Sequence, residues 1–112
     1  RAHGCSCHTF EALKLAAATP WVEVDLARFN PREVKMDAAP DKVAAVLEQF
    51  HARGAGVLGM KILGEGTLVS PEAKEESLRW VLAHPCVDAF CIGFEKPEEI
   101  DDILAIWKKV VA

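Results

Sequence analysis

Tyrosine is absent from this chain of 112 residues, and aromatic residues of all kinds make up 7% of it. No phenol is therefore present to donate a proton. Positive charge is also short: 13 lysines and arginines face 17 aspartates and glutamates, for a formal net charge of −4. The adjacent cations Lys108 and Lys109 sit in a helical tail, and no basic patch stands out. Nucleic acid and membrane surfaces are therefore not expected as partners. The apolar runs are far shorter than the roughly 20 residues that cross a bilayer as a helix. The opening Arg-Ala-His-Gly has neither the apolar stretch of a signal peptide nor an initiator methionine, as expected of a processed or shortened chain.

What is present is ordinary for a soluble globular protein: 51% hydrophobic and 27% charged residues. The length fits one small domain over residues 1–112. Cys5, Cys7, Cys86 and Cys91 lie in strand-like contexts, not at loop staples. That pattern predicts reduced, buried thiols and a cytoplasmic location.

Four short apolar runs alternate with four amphipathic stretches. The first run, Ala2 to Cys7, precedes a helical pattern from Phe10 to Ala18 that Pro20 stops. In the second, Val22 to Phe29, period-two alternation puts Val24, Leu26 and Arg28 on one face and Asp25, Ala27 and Phe29 on the other. Asn30-Pro31 breaks it, and a helix follows from about Asp41 to Arg53 with Val43, Val46, Leu47 and Phe50 toward the core. Gly54 suits its end, where a left-handed residue is favoured. The third run, Gly56 to Leu63, leads through the turn Gly64-Glu65-Gly66 to a helix with clear start signals. Ser70 caps it, Pro71 fits its first turn, and Leu78, Val81 and Leu82 form its buried side. The fourth run, Val87 to Gly93, precedes a helix from Pro97 whose Ile100, Ile103, Leu104, Ile106 and Trp107 point to a core. Glu98, Glu99, Asp101 and Asp102 crowd its positive end, which the helix dipole explains without chemistry.

The order βαβαβαβα predicts an α/β fold with parallel strands and outer helices, a (β/α)4 half-barrel. Such a half leaves both sheet edges and one sheet face open. Self-association into a homodimer or higher homo-oligomer is the expected remedy.

The same residues resemble a known family. Gly-Cys-Ser-Cys-His at 4–8 resembles the end of the fifth barrel strand of aldo-keto reductases. Leu26 to Pro31 resembles the sixth strand's end, Gly56 to Leu68 the seventh strand and its turn, and Val87 to Leu104 the eighth strand and its helix. The resemblance covers essentially the whole chain, as the C-terminal half of that barrel. It implies NAD or NADP as cofactor. Ser6 and Cys7 match positions that hold the nicotinamide carboxamide, where Cys7 replaces the family's amide side chain. Leu26 stands where a glutamine is usual. Met60 matches the residue stacked under the nicotinamide, Gly93 and Phe94 the segment near the adenosine phosphate, and Asp102 an adenine-side position. Glu99 stands where an arginine often meets a 2′-phosphate, and would repel that group. The family's catalytic tyrosine, and the lysine, aspartate and histidine that support it, belong to the other half. No catalytic residue is therefore assigned, and independent carbonyl reduction is not expected.

Three functional readings follow. The chain descends from an NAD(P)-dependent oxidoreductase and keeps part of a dinucleotide site. Or it is a self-assembling half-barrel module without cofactor. Or it is a metal or thiol protein resting on Cys5 and Cys7. For the last, His3, Cys5, Cys7 and His8 are the tempting set, but alternation spreads them over two faces and no C-x-x-C spacing is present, so no metal is expected. Arg28 and Lys61, near predicted strand ends, are candidate anion contacts or ion-paired rim cations. Met36 reads as a packing residue, and Trp21, Trp80 and Trp107 as core or interface anchors.

Overall fold

Local start signals set the helices. In the computed structural model, which describes residues 1–112, Thr9 Oγ1 accepts the Ala12 amide at 3.1 Å and starts α1 (Phe10–Ala17). Ser70 does the same for Ala73 at 3.1 Å and starts α3 (Pro71–Leu82). Prolines open α2 (Pro40–Ala52) and α4 (Pro97–Val111), where a missing amide proton costs nothing. The chain leaves α2 through Arg53 and Gly54, the glycine at φ +79°.

Strands β1 (Gly4–Ser6), β2 (Val24–Arg28), β3 (Gly56–Met60) and β4 (Ala89–Phe90) form one parallel sheet in the order β1-β2-β3-β4. The strands and helices alternate along the chain as the sequence predicts, giving the α/β (β/α)4 architecture. Cys5 pairs with Asp25, and Asp25 with Val57. Neighbouring parallel strands joined by right-handed crossovers carry their helices on one face. Accordingly, Leu13 of α1, Phe50 of α2, Leu78 of α3 and Ile103 of α4 share one core with Ala27 and Val57 of the sheet. At about 25 cal/mol per Å2 of apolar surface, this burial is the main favourable term holding the sheet and helices together.

The other face, with Ser6, Leu26, Arg28, Leu58 and Met60, has no helix on it: Ser6 is exposed and the rest are half-buried. β1 and β4 are open edges.

Several boundaries and faces differ from the sequence reading. β1 is shorter than Ala2–Cys7, and β3 stops at Met60 because Lys61 turns the backbone to φ +57°. β4 keeps two residues of the expected seven, because its ladder with β3 covers Leu58↔Ala89 and Gly59↔Phe90 alone. Leu82, Ile100 and Leu104 are exposed, not core. The buried side of α3 is Ser77, Leu78 and Val81, and the Ser77 hydroxyl donates to the Ile62 carbonyl at 2.5 Å. Trp21 is exposed and meets His3 edge-on, whereas Trp80 packs on Phe29 with ring centroids 4.4 Å apart. Cys86 lies in a turn, fully buried, and Cys91 is exposed.

Candidate functional site

Beyond the C-terminal ends of β3 and β4 the chain folds into a cleft of about 550 Å3. Its walls include Met60, Lys61, Gly66, Cys91, Gly93 and Phe94. The turn after β3 shapes one wall. Lys61, Gly64, Glu65 and Gly66 all take positive φ, and a β-carbon at Gly64 would stand 2.5 Å from Thr67 Oγ1. Glycine is therefore required there both by conformation and by space. Asn30, fully buried at the end of β2, secures the same turn. Its amide donates to the Lys61 carbonyl at 3.0 Å and the Val34 carbonyl at 2.8 Å.

Lys61, Glu65 and Glu99 of the cleft are already engaged. Lys61 pairs with Glu65 at 3.2 Å. Glu99 turns back on the start of α4, where its carboxylate accepts the Glu95 amide at 2.8 Å and the Lys96 amide at 3.4 Å. The Glu95 amide is the main reason that the Glu99 carboxyl lies below the usual carboxylate range. A side chain of this protein thus holds amides that an anion would otherwise use.

The residues carried over from the resemblance divide into three places. Met60, Gly93 and Phe94 come together in the cleft, with Glu99 beside them. Ser6 ends β1 on the uncovered face, two strands from Met60. Cys7 lies on the opposite, helix-covered side and is buried. Asp102 is on α4 and pairs with Lys74 of α3, so its charge ties two helices together. Of the rim cations, Arg28 donates to His8 Nδ1 at 2.8 Å and the Lys35 carbonyl at 3.3 Å, and lies 3.6 Å from Asp37.

A second cluster forms at β1 and β2. Cys5 Sγ and Cys7 Sγ are 3.9 Å apart and lie 3.6 and 3.4 Å from Asp25 Oδ1. His3 and His8 are not in it: His3 meets the Trp21 carbonyl and His8 meets Arg28. Asp25 is fully buried, and its Oδ2 has no hydrogen-bond partner. Burial raises the Asp25 carboxyl above its ordinary value. Burial, and then the Asp25 charge, push the Cys7 thiol up to about 12, and Cys5 also rises, chiefly by burial. In this form the three groups are a neutral thiol pair against a carboxyl. Period-two alternation puts Cys5 and Cys7 on one face. The inter-strand register, which sequence does not give, adds Asp25.

No family model matches the chain, and no curated protein matches it.

Proposed function

We propose that this chain is a cofactor-binding half of an aldo-keto reductase-like barrel. It takes an NAD-type dinucleotide in the cleft beyond β3 and β4 and reduces no carbonyl by itself. The supporting observation is the cleft: Met60, Gly93 and Phe94, three positions carried over from the resemblance, line it together. It lies at the C-terminal ends of parallel strands, where β/α barrels carry their sites. Met60 offers a polarizable thioether to a ring, and Phe94 an aromatic face. Glu99 and Glu95 set a negative field that disfavours a 2′-phosphate, so NADH is preferred to NADPH. Without tyrosine the chain lacks the family's proton donor, so cofactor binding and turnover separate. Fluorescence titration with NADH and NADPH tests the reading. The expected result is saturable NADH binding, weaker NADPH binding, and weakening of both by Phe94→Ala. No saturable binding of NADH at millimolar concentration overturns it.

A second reading is favoured by what the sheet leaves open. Phe90, Ile92, Phe94, Ile100, Leu104 and Trp107 border an apolar groove of about 300 Å3 beside the β4 edge. Leu15 of α1 and Trp21, which meets His3 just before β1, are exposed. A two-fold axis along the strands brings the β4 side of one copy against the β1 side of the other, twice, and closes an eight-stranded barrel. Light scattering across a wide concentration range tests it, with a dimer or higher oligomer expected. A stable monomer throughout refutes it.

A further inference from the structure

We infer that Cys5, Cys7 and Asp25 form a binding site for one divalent cation of the zinc class, held by two sulfurs and one carboxylate oxygen. The site is independent of the cleft: it lies under the helix layer at β1 and β2, whereas the cleft lies beyond the C-terminal ends of β3 and β4.

The argument begins with a residue out of place. Asp25 shares its strand face with Ala27 and Phe29, which are core residues, and it is itself fully buried. A carboxylate at a core position breaks the apolar pattern of β2, and such local conflicts concentrate at functional sites. Its only side-chain partners are two sulfurs on one oxygen, and thiols are weak donors. The second oxygen, Oδ2, is buried without any partner. A buried carboxyl left in that condition is costly, and a cation offsets the cost directly.

The spacing fits such an ion. Zinc bonds sulfur at about 2.3 Å and carboxylate oxygen at about 2.0 Å in tetrahedral geometry. Two such sulfurs stand about 3.8 Å apart, and each stands about 3.5 Å from the oxygen. The observed edges are 3.9 Å for the sulfur pair and 3.6 and 3.4 Å for the two sulfur–oxygen pairs. All three ligand atoms therefore fit one tetrahedral face without movement of the strands. Cys5 is half-buried on the edge strand β1, so the ion can reach the site from that side. Three protein ligands leave a fourth position for water or an outside ligand, as in open zinc sites. Loading releases the thiol protons to solvent as the two sulfurs bind.

The test is titration of the reduced full chain with Co2+ under anaerobic conditions, followed by competition with Zn2+. A thiolate-to-cobalt charge-transfer band should saturate at one equivalent and be bleached by Zn2+. Loss of an outer-shell partner alone lowers metal affinity by about 10–100-fold, so Cys7→Ala and Asp25→Asn should each cost more than about 100-fold. Cys91→Ser should leave the band unchanged. Cys5→Ala, at the half-buried position, keeps the test decisive where a buried variant does not fold: it too should lose affinity, and its melting midpoint should no longer rise with Zn2+. Absence of the band, or its survival in Cys5→Ala, overturns the inference. So does a Cys5–Cys7 disulfide that resists the reductant.

Discussion

Asn30 is the side chain on which the end of β2, the loop after it and the wall of the cleft all depend. It is fully buried and uses its whole hydrogen-bonding capacity. The amide donates to the Val34 and Lys61 carbonyls, and the oxygen accepts the Arg32 amide at 3.0 Å and the Val34 amide at 3.1 Å. Asn30→Asp preserves shape and both accepted bonds, but it turns two donors into an oxygen that faces two carbonyls. The Lys61 carbonyl keeps the Gly64 amide at 2.9 Å, so the Val34 carbonyl alone loses its donor, and the substitution should cost about 1–3 kcal/mol at neutral pH, a large share of a small domain's stability. The sign with pH is fixed. Facing carbonyl oxygens in a buried site, the introduced carboxyl favours its protonated form, which restores one donor. Its folded pKa therefore lies above the ordinary value, and the deficit against wild type is smallest in acid and grows as pH rises. Urea denaturation followed by tryptophan fluorescence in a Trp21→Phe, Trp107→Phe background, at acid and at neutral pH, measures both quantities; the remaining Trp80 packs on Phe29, the neighbour of Asn30. A neutral-pH deficit under about 1 kcal/mol, or one that shrinks as pH rises, would refute this account of the clamp.

Other parts of the fold give equally direct expectations. Burial, reinforced by the Glu48 carboxylate, pushes the Cys86 thiol up to about 11 from an ordinary 9.0, so the folded state holds this proton longer than the unfolded chain. Stability from this site is complete below pH 9 and is lost as pH rises toward 11, by about 2–3 kcal/mol, and Cys86→Ala should flatten that part of the urea-midpoint profile. Arg53 donates to the carbonyls of Ala16, Ala17, Thr19 and Val22, closing the C-terminal end of α1. Arg53→Ala should lower stability by about 2–4 kcal/mol and Arg53→Lys should recover under half of that, since one ammonium cannot span the fork, as denaturant midpoints will show. Glu99→Gln should lower the melting temperature and abolish the part of the acid destabilisation due to this residue. The sign follows from its depressed pKa: the stability it contributes is present above the ordinary carboxylate range and is lost as pH falls through the lower folded value.

How far the sequence carries depends on whether a feature is local. The cap at Ser70, the prolines at 71 and 97 and the alternation of Asp25, Ala27 and Phe29 are local, and the structure follows them. The end of β3 is not visible in its pattern, because Ile62 continues the apolar run and is buried, yet it lies in a turn that begins at Lys61. The outward stripe of α4 misleads for a different reason. Ile100 and Leu104 have the spacing of core residues, but α4 is the last helix and nothing packs on that side. Asn30 reads in sequence as a strand breaker, and its four bonds need residues 32, 34 and 61 brought to it by folding. Arg53 reads in sequence only as the end of its helix, because its acceptors lie more than thirty residues earlier in the chain. For the cysteine cluster the alternation gives the pair and the register gives the carboxylate, so sequence alone argues against a metal there and the folded arrangement argues for one.

The two candidate sites stand at different places on the same sheet, the cleft beyond the ends of β3 and β4 and the cluster at β1 and β2, and this separates their consequences. The cleft lies at the end of β3 and β4 that a closed barrel shares with its other half, so the NADH binding proposed for it should respond to assembly. The cluster of Cys5, Cys7 and Asp25 lies between β1, β2 and the helix layer, and is complete within one chain. It does lie at the β1 edge, however, and a cation fixing Cys5 and Cys7 to Asp25 locks β1 against β2. β1 is the strand that must present its free edge to β4 of a second copy if the barrel closes by two-fold pairing. Metal loading should therefore order the β1 edge and promote closure, whereas closure is not needed for metal loading. Dimerisation strengthened by Zn2+ in wild type and indifferent to it in Cys5→Ala is the outcome this coupling requires, and the opposite dependence cannot arise from it.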